Sequence, residues 1–438
     1  MKLTNHLNLK APGNWINDPN GFIYYAGKYH LFYQYFPYGP FWGTMHWGHA
    51  ISDDLVDWEH LGIALMPTKS YDKNGVFSGS AIEKEGQLLL YYTAEVYCEE
   101  QPENIHLPVS NGYQSQAMIT SLDGIHFDNY NDKKLIIPVI EDLEIADPHE
   151  CRDPKVWKID DTYYMCLAST NQCKTGVLLL FSSSDAINWT YLNRLEAKEL
   201  GTILECPDLF KVDNDWLLMC SPCGNNVDGE GYDNQSVILP VSFSHQDGKV
   251  EVKGESQFLD YGFDLYAPQS NIDKDGNRVV IAWARMGCPM RPESNSASEG
   301  KIWNGMMTIP RVIKICDGKI MMTPHKNIRN YFLSDKCKCE TDGKITKRFD
   351  ANNTQLITTI SEGEWIDIDG YKIGLADGRV VADRSQLIPD GLNVHKKSYT
   401  PYVGAKTNLE IYYDSDFIEI FVADGKYSIS HVTYRNAL

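Results

Sequence analysis

One pattern of apolar and polar positions recurs along the first three quarters of the chain. A polar or acidic start leads into an apolar strand, a turn of Asp, Gly or Lys follows, and a second strand rich in aromatic residues comes back. This alternation of apolar runs and turn residues is typical of a β-hairpin. It occurs five times, at residues 20–35, 78–94, 153–169, 207–221 and 267–285.

The spacing of these hairpins indicates an all-β fold built from repeats. Their starts differ by 58, 75, 54 and 60 residues, which is enough chain for one four-stranded sheet per hairpin. A second marker, a turn with Ser and Asp that leads to an aromatic residue, recurs after three of them, at 52–58, 121–127 and 184–189. The sequence therefore predicts a five-bladed β-propeller over residues 1–325.

The pattern changes near residue 325. Residues 326–335 are predicted to form a short helix or linker, and alternating apolar and polar positions follow at 356–360, 370–375 and 409–422. Alternation with a period of two is typical of half-buried strands. We therefore expect a second domain, a small C-terminal β-sandwich module, over residues 326–438.

Composition and charge narrow the classes of partner. The 438 residues are 43% hydrophobic, which is typical of a folded globular chain, and 40 Lys and Arg against 59 Asp and Glu give a net charge of −19. That charge repels polyanions, so neither nucleic acid nor a membrane surface is expected as a partner. The first residues carry no apolar signal segment, and we expect a cytoplasmic protein, either a monomer or a homodimer.

Cysteine and glycine spacing predicts no cofactor. The 11 cysteines are scattered, which favours reduced thiols over a disulfide framework. The pair Cys220 and Cys223 has no second pair of ligands at the spacing of a zinc site, and no Gly-rich phosphate loop occurs. We expect neither a metal nor an organic cofactor.

Three carboxylates stand at matched positions in the repeats. Asp18, Asp153 and Glu205 lie at or within two residues of the first strand of the first, third and fourth hairpins, each close to a proline. Any one of them alone is typical of an ordinary turn, but the innermost strands of a propeller surround its axis. The three acids should therefore converge in one funnel, where one can protonate a leaving oxygen and another can attack or stabilise a sugar carbon.

The segments around these acids resemble the signature blocks of glycoside hydrolase family 32, which includes invertases, sucrose-6-phosphate hydrolases and fructan hydrolases. The blocks follow the family order across nearly all of the predicted propeller, at 15–21, 32–35, 46–50, 77–80, 152–155, 205–207 and 259–269. The resemblance implies a retaining β-fructofuranosidase. Its substrate would be a small sugar: sucrose, sucrose 6-phosphate or a short fructooligosaccharide.

The resemblance also implies a role for each residue of the site. Asp18 matches the nucleophile, Glu205 the general acid/base, and Asp153 the transition-state stabiliser. Arg152 should keep an acid beside Asp153 ionised, and repulsion between carboxylates should keep Glu205 protonated. The residues implied to bind substrate are Asn17, Gln34, Trp42, Phe77, Ser78, Arg152, Asp264, Tyr266 and Trp283.

Several alternatives stay open at this point. An arabinanase-like or xylosidase-like propeller also places three acids in a funnel but typically inverts configuration, and a non-catalytic propeller would only bind carbohydrate. A fructosyltransferase shares the covalent intermediate and differs in the acceptor. The choice between sucrose and sucrose 6-phosphate depends on a phosphate site, for which the basic candidates are Lys155, Arg285, Arg291 and Lys301.

Overall fold

The fold is built almost entirely from β-strands. The computed structural model describes residues 2–224, 234–262, 264–333, 338–341, 345–349 and 353–438. Within these ranges the helical elements are one α-helix, Lys326–Leu333, and the short 3₁₀ turns Lys198–Leu200, Pro292–Ser294 and Ser296–Ser298. No helix in the same ranges is long and apolar enough to cross a membrane.

The described strands up to residue 324 form five sheets in chain order, numbered here 1 to 5, together with the small hairpin Glu100–Gln101 and Asn104–Pro108. Sheet 1 contains, in spatial order, Thr4–His6, Asp57–Leu65, His46–Ser52, Lys28–Phe36, Asn14–Tyr25 and Trp303–Asn304. Sheet 2 contains Lys134–Ile137, Gly112–Ser121, Gln87–Tyr97 and Gly75–Lys84. Sheet 3 contains Cys151–Ile159, Thr162–Thr170, Gly176–Ser183 and Thr190–Glu196.

Sheets 4 and 5 follow the same antiparallel plan. Sheet 4 contains Ile203–Val212, Asp215–Cys223, Val237–Phe243 and Val250–Val252, with Gln257–Phe258 added beside the third strand. Sheet 5 contains Leu265–Ile272, Arg278–Ala284, Arg311–Cys316 and Lys319–Pro324, with Met306–Met307 added beside the second strand. The five hairpins predicted from the sequence are confirmed, because each forms two adjacent strands of one sheet.

The first strand of each hairpin, here called the inner strand of its sheet, contacts the inner strand of the next sheet. The inner strand of sheet 5 contacts that of sheet 1, so the five form a ring. Trp303–Asn304 also pairs in parallel with Asn14–Tyr25 and so ties the chain after sheet 5 to sheet 1. A side chain also bridges two inner strands that are not adjacent in the ring, because the Gln269 amide in sheet 5 donates to the Gly79 carbonyl in sheet 2 at 2.8 Å.

Buried apolar side chains fill the space between successive sheets. Alternating positions of each strand point to the two faces of its sheet, so one strand contributes to two clusters. Tyr91 and Tyr92 illustrate this, because Tyr92 packs towards sheet 1 and Tyr91 towards sheet 3. Each gap between successive sheets holds a buried cluster with residues from both sheets. One such pair for each gap, from sheets 1 and 2 round to sheets 5 and 1, is Trp47 and Tyr92, Tyr91 and Met165, Leu180 and Leu218, Met219 and Val280, and Ile281 and Tyr29.

Each inner strand carries a β-bulge near its start. The pairing register shifts between Ile16 and Pro19, Phe77 and Gly79, Arg152 and Lys155, Glu205 and Asp208, and Tyr266 and Gln269. A bulge places one extra residue in a strand and changes the direction of the side chains beside it. All five bulges therefore redirect side chains at the same end of the ring.

The C-terminal part has two further antiparallel sheets. Sheet 6 contains Lys338–Thr341, Ile345–Phe349, Asn353–Ser361, Lys406–Tyr413, Phe417–Val422 and Tyr427–Val432. Sheet 7 contains Trp365–Ile368, Tyr371–Ala376, Arg379–Asp383 and Lys397–Tyr399. Both sheets contribute to one buried cluster that includes Ile411 and Ile373. The predicted helix is confirmed up to Leu333, and its last two predicted residues lie outside the described ranges.

A buried arginine joins sheet 5 to sheet 6. The Arg311 guanidinium is 1% exposed, and it donates to Glu419 Oε2 at 2.5 Å and to Asp260 Oδ2 at 2.9 Å. It also donates to the hydroxyl groups of Ser428 and Ser430, at 3.1 and 2.6 Å. One guanidinium therefore neutralises two buried carboxylates, and both would be costly to bury without it.

Replacing this arginine should destabilise the protein strongly. We expect Arg311→Leu to lower the free energy of unfolding by about 3–5 kcal/mol, because two buried carboxylates lose their counterion. Urea unfolding followed by circular dichroism measures this change. The control is Lys249→Met, which breaks the exposed Lys249–Glu251 pair and should change the free energy of unfolding little, because water and salt screen exposed ion pairs. Equal losses in the two variants would contradict this account of the interface.

Candidate active site

A pocket of about 470 Å³ lies at the bulged end of the inner strands. Its wall contains all three predicted acids, Asp18, Asp153 and Glu205. The ring of inner strands brings them together from sheets 1, 3 and 4, although they are up to 187 positions apart in the chain. The predicted binding residues found in the same wall are Asn17, Gln34, Trp42, Phe77, Ser78, Arg152, Tyr266 and Trp283.

Asp18 lies in the bulge of sheet 1 and is held by three neighbours. Its Oδ2 accepts from the Ser78 hydroxyl at 2.5 Å and lies 3.5 Å from the Cys206 sulfur, and its Oδ1 accepts from the Asn17 amide at 3.0 Å. Burial raises the pKa of Asp18, the bonds from Ser78 and Asn17 lower it in part, and the charge of Glu205 raises it again. The hydrogen bonds also fix the direction of the carboxylate.

Asp153 lies in the bulge of sheet 3 with a left-handed backbone, at φ 64°. Its backbone N–H donates to the Thr93 hydroxyl at 2.8 Å, and its Oδ2 accepts from the backbone N–H of Cys206 at 2.8 Å. Burial raises the pKa of Asp153 to about 7, although the neighbouring Arg152 lowers it. Asp153 therefore titrates near neutral pH.

Glu205 is surrounded by hydrogen-bond donors. Its Oε1 accepts from Arg152 through Nε at 3.2 Å and Nη2 at 2.8 Å. Its Oε2 accepts from the Tyr266 hydroxyl at 2.5 Å and the Cys223 thiol at 3.0 Å. Burial raises the pKa of Glu205, but Arg152 and the two other donors outweigh burial, so the pKa lies below its usual value.

This arrangement differs from the electrostatics expected from the sequence. Arg152 was expected to keep an acid beside Asp153 ionised, while repulsion kept Glu205 protonated. Arg152 instead binds Glu205 directly, with Glu150 as a second partner of its guanidinium. A direct pair of charge-assisted hydrogen bonds outweighs repulsion from more distant carboxylates. The ionised form of Glu205 is therefore favoured in the free site.

Aromatic rings and amides form another part of the wall. Trp42 and Phe77 meet edge to face with ring centroids 5.7 Å apart. Trp283 meets Trp15 in the same way at 5.7 Å, and the Trp15 indole N–H donates to the Asn17 amide oxygen at 2.8 Å. These rings offer apolar faces beside hydrogen-bonding groups, which is the combination that a sugar ring requires.

One predicted binding residue, Asp264, lies outside this pocket. Its Oδ2 accepts from the Val432 backbone N–H at 2.7 Å, and its two oxygens pair with the guanidinium of Arg384. Asp264 therefore joins sheet 5 to the C-terminal sheets, and the structure does not place this predicted binding residue in the pocket wall. The reason is its buried partner Arg384, which is 120 positions away in the chain.

The basic residues considered for a phosphate site are also absent from the described pocket wall. Lys155 is buried and donates to Asp208 Oδ2 at 3.0 Å and to the Ser270 carbonyl at 2.5 Å. The guanidinium of Arg285 lies over the Tyr266 ring at 4.6 Å. The other two candidates outside the wall are Arg291 and Lys301.

Sequence reasoning missed several polar residues of the wall. Glu95 is 3% exposed, and burial raises its pKa to about 7. Gln114 accepts from the Cys151 backbone N–H at 2.8 Å, and Glu150 pairs with Arg152. A signal existed for Glu95, which is the charged residue of a mostly apolar and aromatic strand, Gln87–Tyr97. No comparable signal marked Gln114.

Removing the charge of Asp153 should stabilise the fold. Because its pKa is raised in the folded protein, the ionised carboxylate destabilises the folded state above about pH 7. That penalty shrinks as the pH falls towards the usual value of Asp, near 4. We expect Asp153→Asn to raise the free energy of unfolding by up to about 4 kcal/mol at pH 8, and by progressively less from pH 7 to pH 5.

Urea unfolding across this pH series measures the effect of Asp153→Asn. The control is Asp161→Asn, at an exposed turn, which should change little at any pH. A gain that does not depend on pH would contradict the proposed cause.

Comparison with known proteins gives the same family as the sequence motifs. Residues 8–324 match the glycosyl hydrolases family 32 N-terminal domain. A sucrose-6-phosphate hydrolase from Escherichia coli is 32% identical over 451 aligned residues, covering 98% of this chain and 89% of the relative. The solved sucrose-6-phosphate hydrolase from Lactobacillus gasseri has a TM-score of 0.82 at 26% identity, covering 99% of this chain and 89% of that one.

A second solved structure is a mutant of a Bombyx mori GH32 β-fructofuranosidase in complex with sucrose. It has a TM-score of 0.76 at 27% identity and covers 99% of this chain and 89% of that one. The family match includes every inner strand, and the aligned relatives continue through the C-terminal sheets. The resemblance seen in the motifs is confirmed, and the chain belongs to glycoside hydrolase family 32.

Proposed function

We propose that this enzyme releases the terminal β-D-fructofuranosyl unit of sucrose and sucrose 6-phosphate. The observation that carries the proposal is the meeting of Asp18, Asp153 and Glu205 in one pocket. Cys206 links them, because its backbone N–H binds Asp153, its sulfur lies beside Asp18, and it follows Glu205 in the chain. The named relatives are two sucrose-6-phosphate hydrolases and a β-fructofuranosidase with bound sucrose.

The proposed reaction is a double displacement. Asp18 Oδ attacks the anomeric carbon of fructose, the glycosidic C–O bond breaks, and Glu205 gives its proton to the leaving oxygen. In the second step Glu205 takes a proton from water, the water oxygen bonds to the anomeric carbon, and the bond to Asp18 breaks. Asp153 holds fructose hydroxyl groups while positive charge develops on the ring.

Glu205 must carry a proton before the first step, and only one of its oxygens can accept it. Oε1 already receives two N–H groups from Arg152, which have no acceptor capacity. Oε2 faces the Tyr266 hydroxyl and the Cys223 thiol, and both of these groups can turn their hydrogen away. The transferable proton therefore belongs on Oε2.

The charge of the pocket favours a neutral substrate. Its described wall holds five carboxylates, those of Asp18, Glu95, Glu150, Asp153 and Glu205. The cationic side chain in the described wall is Arg152, which already forms ion pairs with Glu150 and Glu205. A phosphate dianion entering this field meets net repulsion. Sucrose should therefore be the better of the two substrates.

We infer that the architecture is a five-bladed β-propeller, residues 1–325, followed by a β-sandwich module, residues 326–438. The ring of inner strands and the apolar cluster between sheets 5 and 1 support the propeller. The shared core of sheets 6 and 7 supports the sandwich. The cytoplasmic location and the oligomeric state stay predictions.

Family membership decides against the arabinanase-like and xylosidase-like alternatives and makes a binding-only propeller a poor fit for three intact acids. A fructosyltransferase would pass through the same covalent intermediate and differ only in the group that attacks it. Both named sucrose-6-phosphate relatives are hydrolases. We therefore propose that water is the principal acceptor.

The stereochemistry of the first product tests the double displacement. Two inversions retain configuration, so NMR of freshly released product should first show β-configured fructose. Asp18→Asn should lower kcat by at least about 1,000-fold, since the nucleophile is lost, while the control Asp161→Asn keeps normal activity. Initial release of the α anomer would contradict the proposed mechanism.

Substrate ranking tests the charge argument. We expect kcat/KM for sucrose to exceed that for sucrose 6-phosphate by about tenfold at low salt, which corresponds to about 1.4 kcal/mol. Added salt should narrow the ratio, because salt screens repulsion between the phosphate and the carboxylates. A preference for sucrose 6-phosphate would show that a cation contacts the phosphate.

A further inference from the structure

Two proton donors converge on one oxygen of Glu205. Oε2 lies 2.5 Å from the Tyr266 hydroxyl and 3.0 Å from the Cys223 sulfur, and these two donor groups are 3.4 Å apart. Cys223 ends the strand Asp215–Cys223, which pairs with the inner strand that carries Glu205. The thiol therefore reaches the acid from the adjacent strand of the same sheet.

Each donor has a second acceptor within reach. The Tyr266 oxygen lies 3.2 Å from the Ser221 carbonyl, so its O–H can turn there from Oε2. The Cys223 S–H can turn from Oε2 to the Tyr266 oxygen. When Glu205 is ionised, both groups donate to Oε2. When Oε2 carries the proton, the hydrogen bonds can run from Cys223 to Tyr266 and on to Ser221 without movement of any heavy atom.

Cys223 is suited to this donor role because it stays a thiol. Burial raises the pKa of Cys223 to about 12, and the charge of Glu205 contributes to that rise. The sulfur therefore keeps its hydrogen throughout the neutral range. A thiol is also a weaker donor than a hydroxyl, so it supports the ionised carboxylate without holding it too strongly.

We propose that Cys223 is a positioning residue for Glu205: its thiol and the Tyr266 hydroxyl form a two-state donor pair that supports Oε2 when the carboxylate is ionised and frees it when it carries the proton. The proposal rests on the role of Glu205 as general acid/base. The thiol would thereby help Glu205 to act as an acid in the first displacement and as a base in the second.

Other charged and titratable groups face Tyr266, Cys223 and Glu205, and a substitution at Cys223 does not change them. Arg152 binds the opposite oxygen of Glu205, and Arg285 lies over the Tyr266 ring at 4.6 Å. Within the described residues, further titratable groups near Glu205 include Asp18, Asp153, Cys206 and Glu150, which shares Arg152 with it. A single substitution at Cys223 leaves all of them in place.

The experiment is the pH profile of kcat/KM on sucrose for Cys223→Ala and Cys223→Ser. Because the pKa of Glu205 lies below its usual value and those of Asp18 and Asp153 lie above theirs, the acidic limb of this profile reports the pKa of Glu205. Cys223→Ala removes a donor to the ionised form, so the limb should move to higher pH on the order of 0.5 unit. Cys223→Ser places a stronger donor there, so the limb should move to lower pH. The control Cys220→Ala, in the buried core of the same strand, should leave the limb in place.

Opposite shifts for the two Cys223 variants support the proposal, and a purely structural role would scale the rate equally at all pH values. Unshifted limbs, or equal shifts in the same direction, would overturn it. Glu205→Gln separates this failure from failure of the proposed function. If Glu205→Gln loses activity on sucrose while the Cys223 limbs do not move, only the role of the thiol is wrong; if Glu205→Gln stays fully active, the assignment of the acid/base fails as well.

Discussion

The bulge in each inner strand is the constraint on which the site depends. Two residues of the bulged strand stand opposite one residue of its partner, and in sheets 3, 4 and 5 the first of these two has a left-handed backbone: Asp153, Cys206 and Ala267. Such a conformation costs roughly 1–2 kcal/mol for a residue with a Cβ. The ring of inner strands holds all five bulges at one end, and the acids meet there.

Arg152 determines how charge is distributed in the resulting pocket. It gives two hydrogen bonds to Glu205 and pairs with Glu150, so the proposed acid/base is the most strongly stabilised anion among Asp18, Asp153 and Glu205. Asp153, with its pKa near 7, takes up a proton more readily. In the proposed mechanism Glu205 therefore gains its proton on the oxygen that faces away from Arg152. The Tyr266 hydroxyl and the Cys223 thiol, which donate to Oε2, therefore influence whether this oxygen can hold the proton.

The hairpins, the helix start and the position of the acids were predictable because they depend on local patterns. Alternating apolar residues define each strand, and turn residues define each hairpin. The partners of buried charges were not predictable in this way. Asp264 pairs with Arg384 and Lys155 with Asp208, across 120 and 53 positions of the chain. Ion pairs of this kind depend on the packing of whole sheets, and no spacing in the sequence marks them.

In the proposed reaction Asp18 bonds to fructose while Glu205 moves the protons. The most direct measurement uses Glu205→Gln with a fructosyl fluoride, whose leaving group departs without acid assistance while the second step lacks its base. Mass spectrometry of the digested protein should find one fructosyl group on the peptide that contains Asp18. A fructosyl group on the peptide of Asp153 would contradict the account, as would turnover of this variant with no adduct on any peptide.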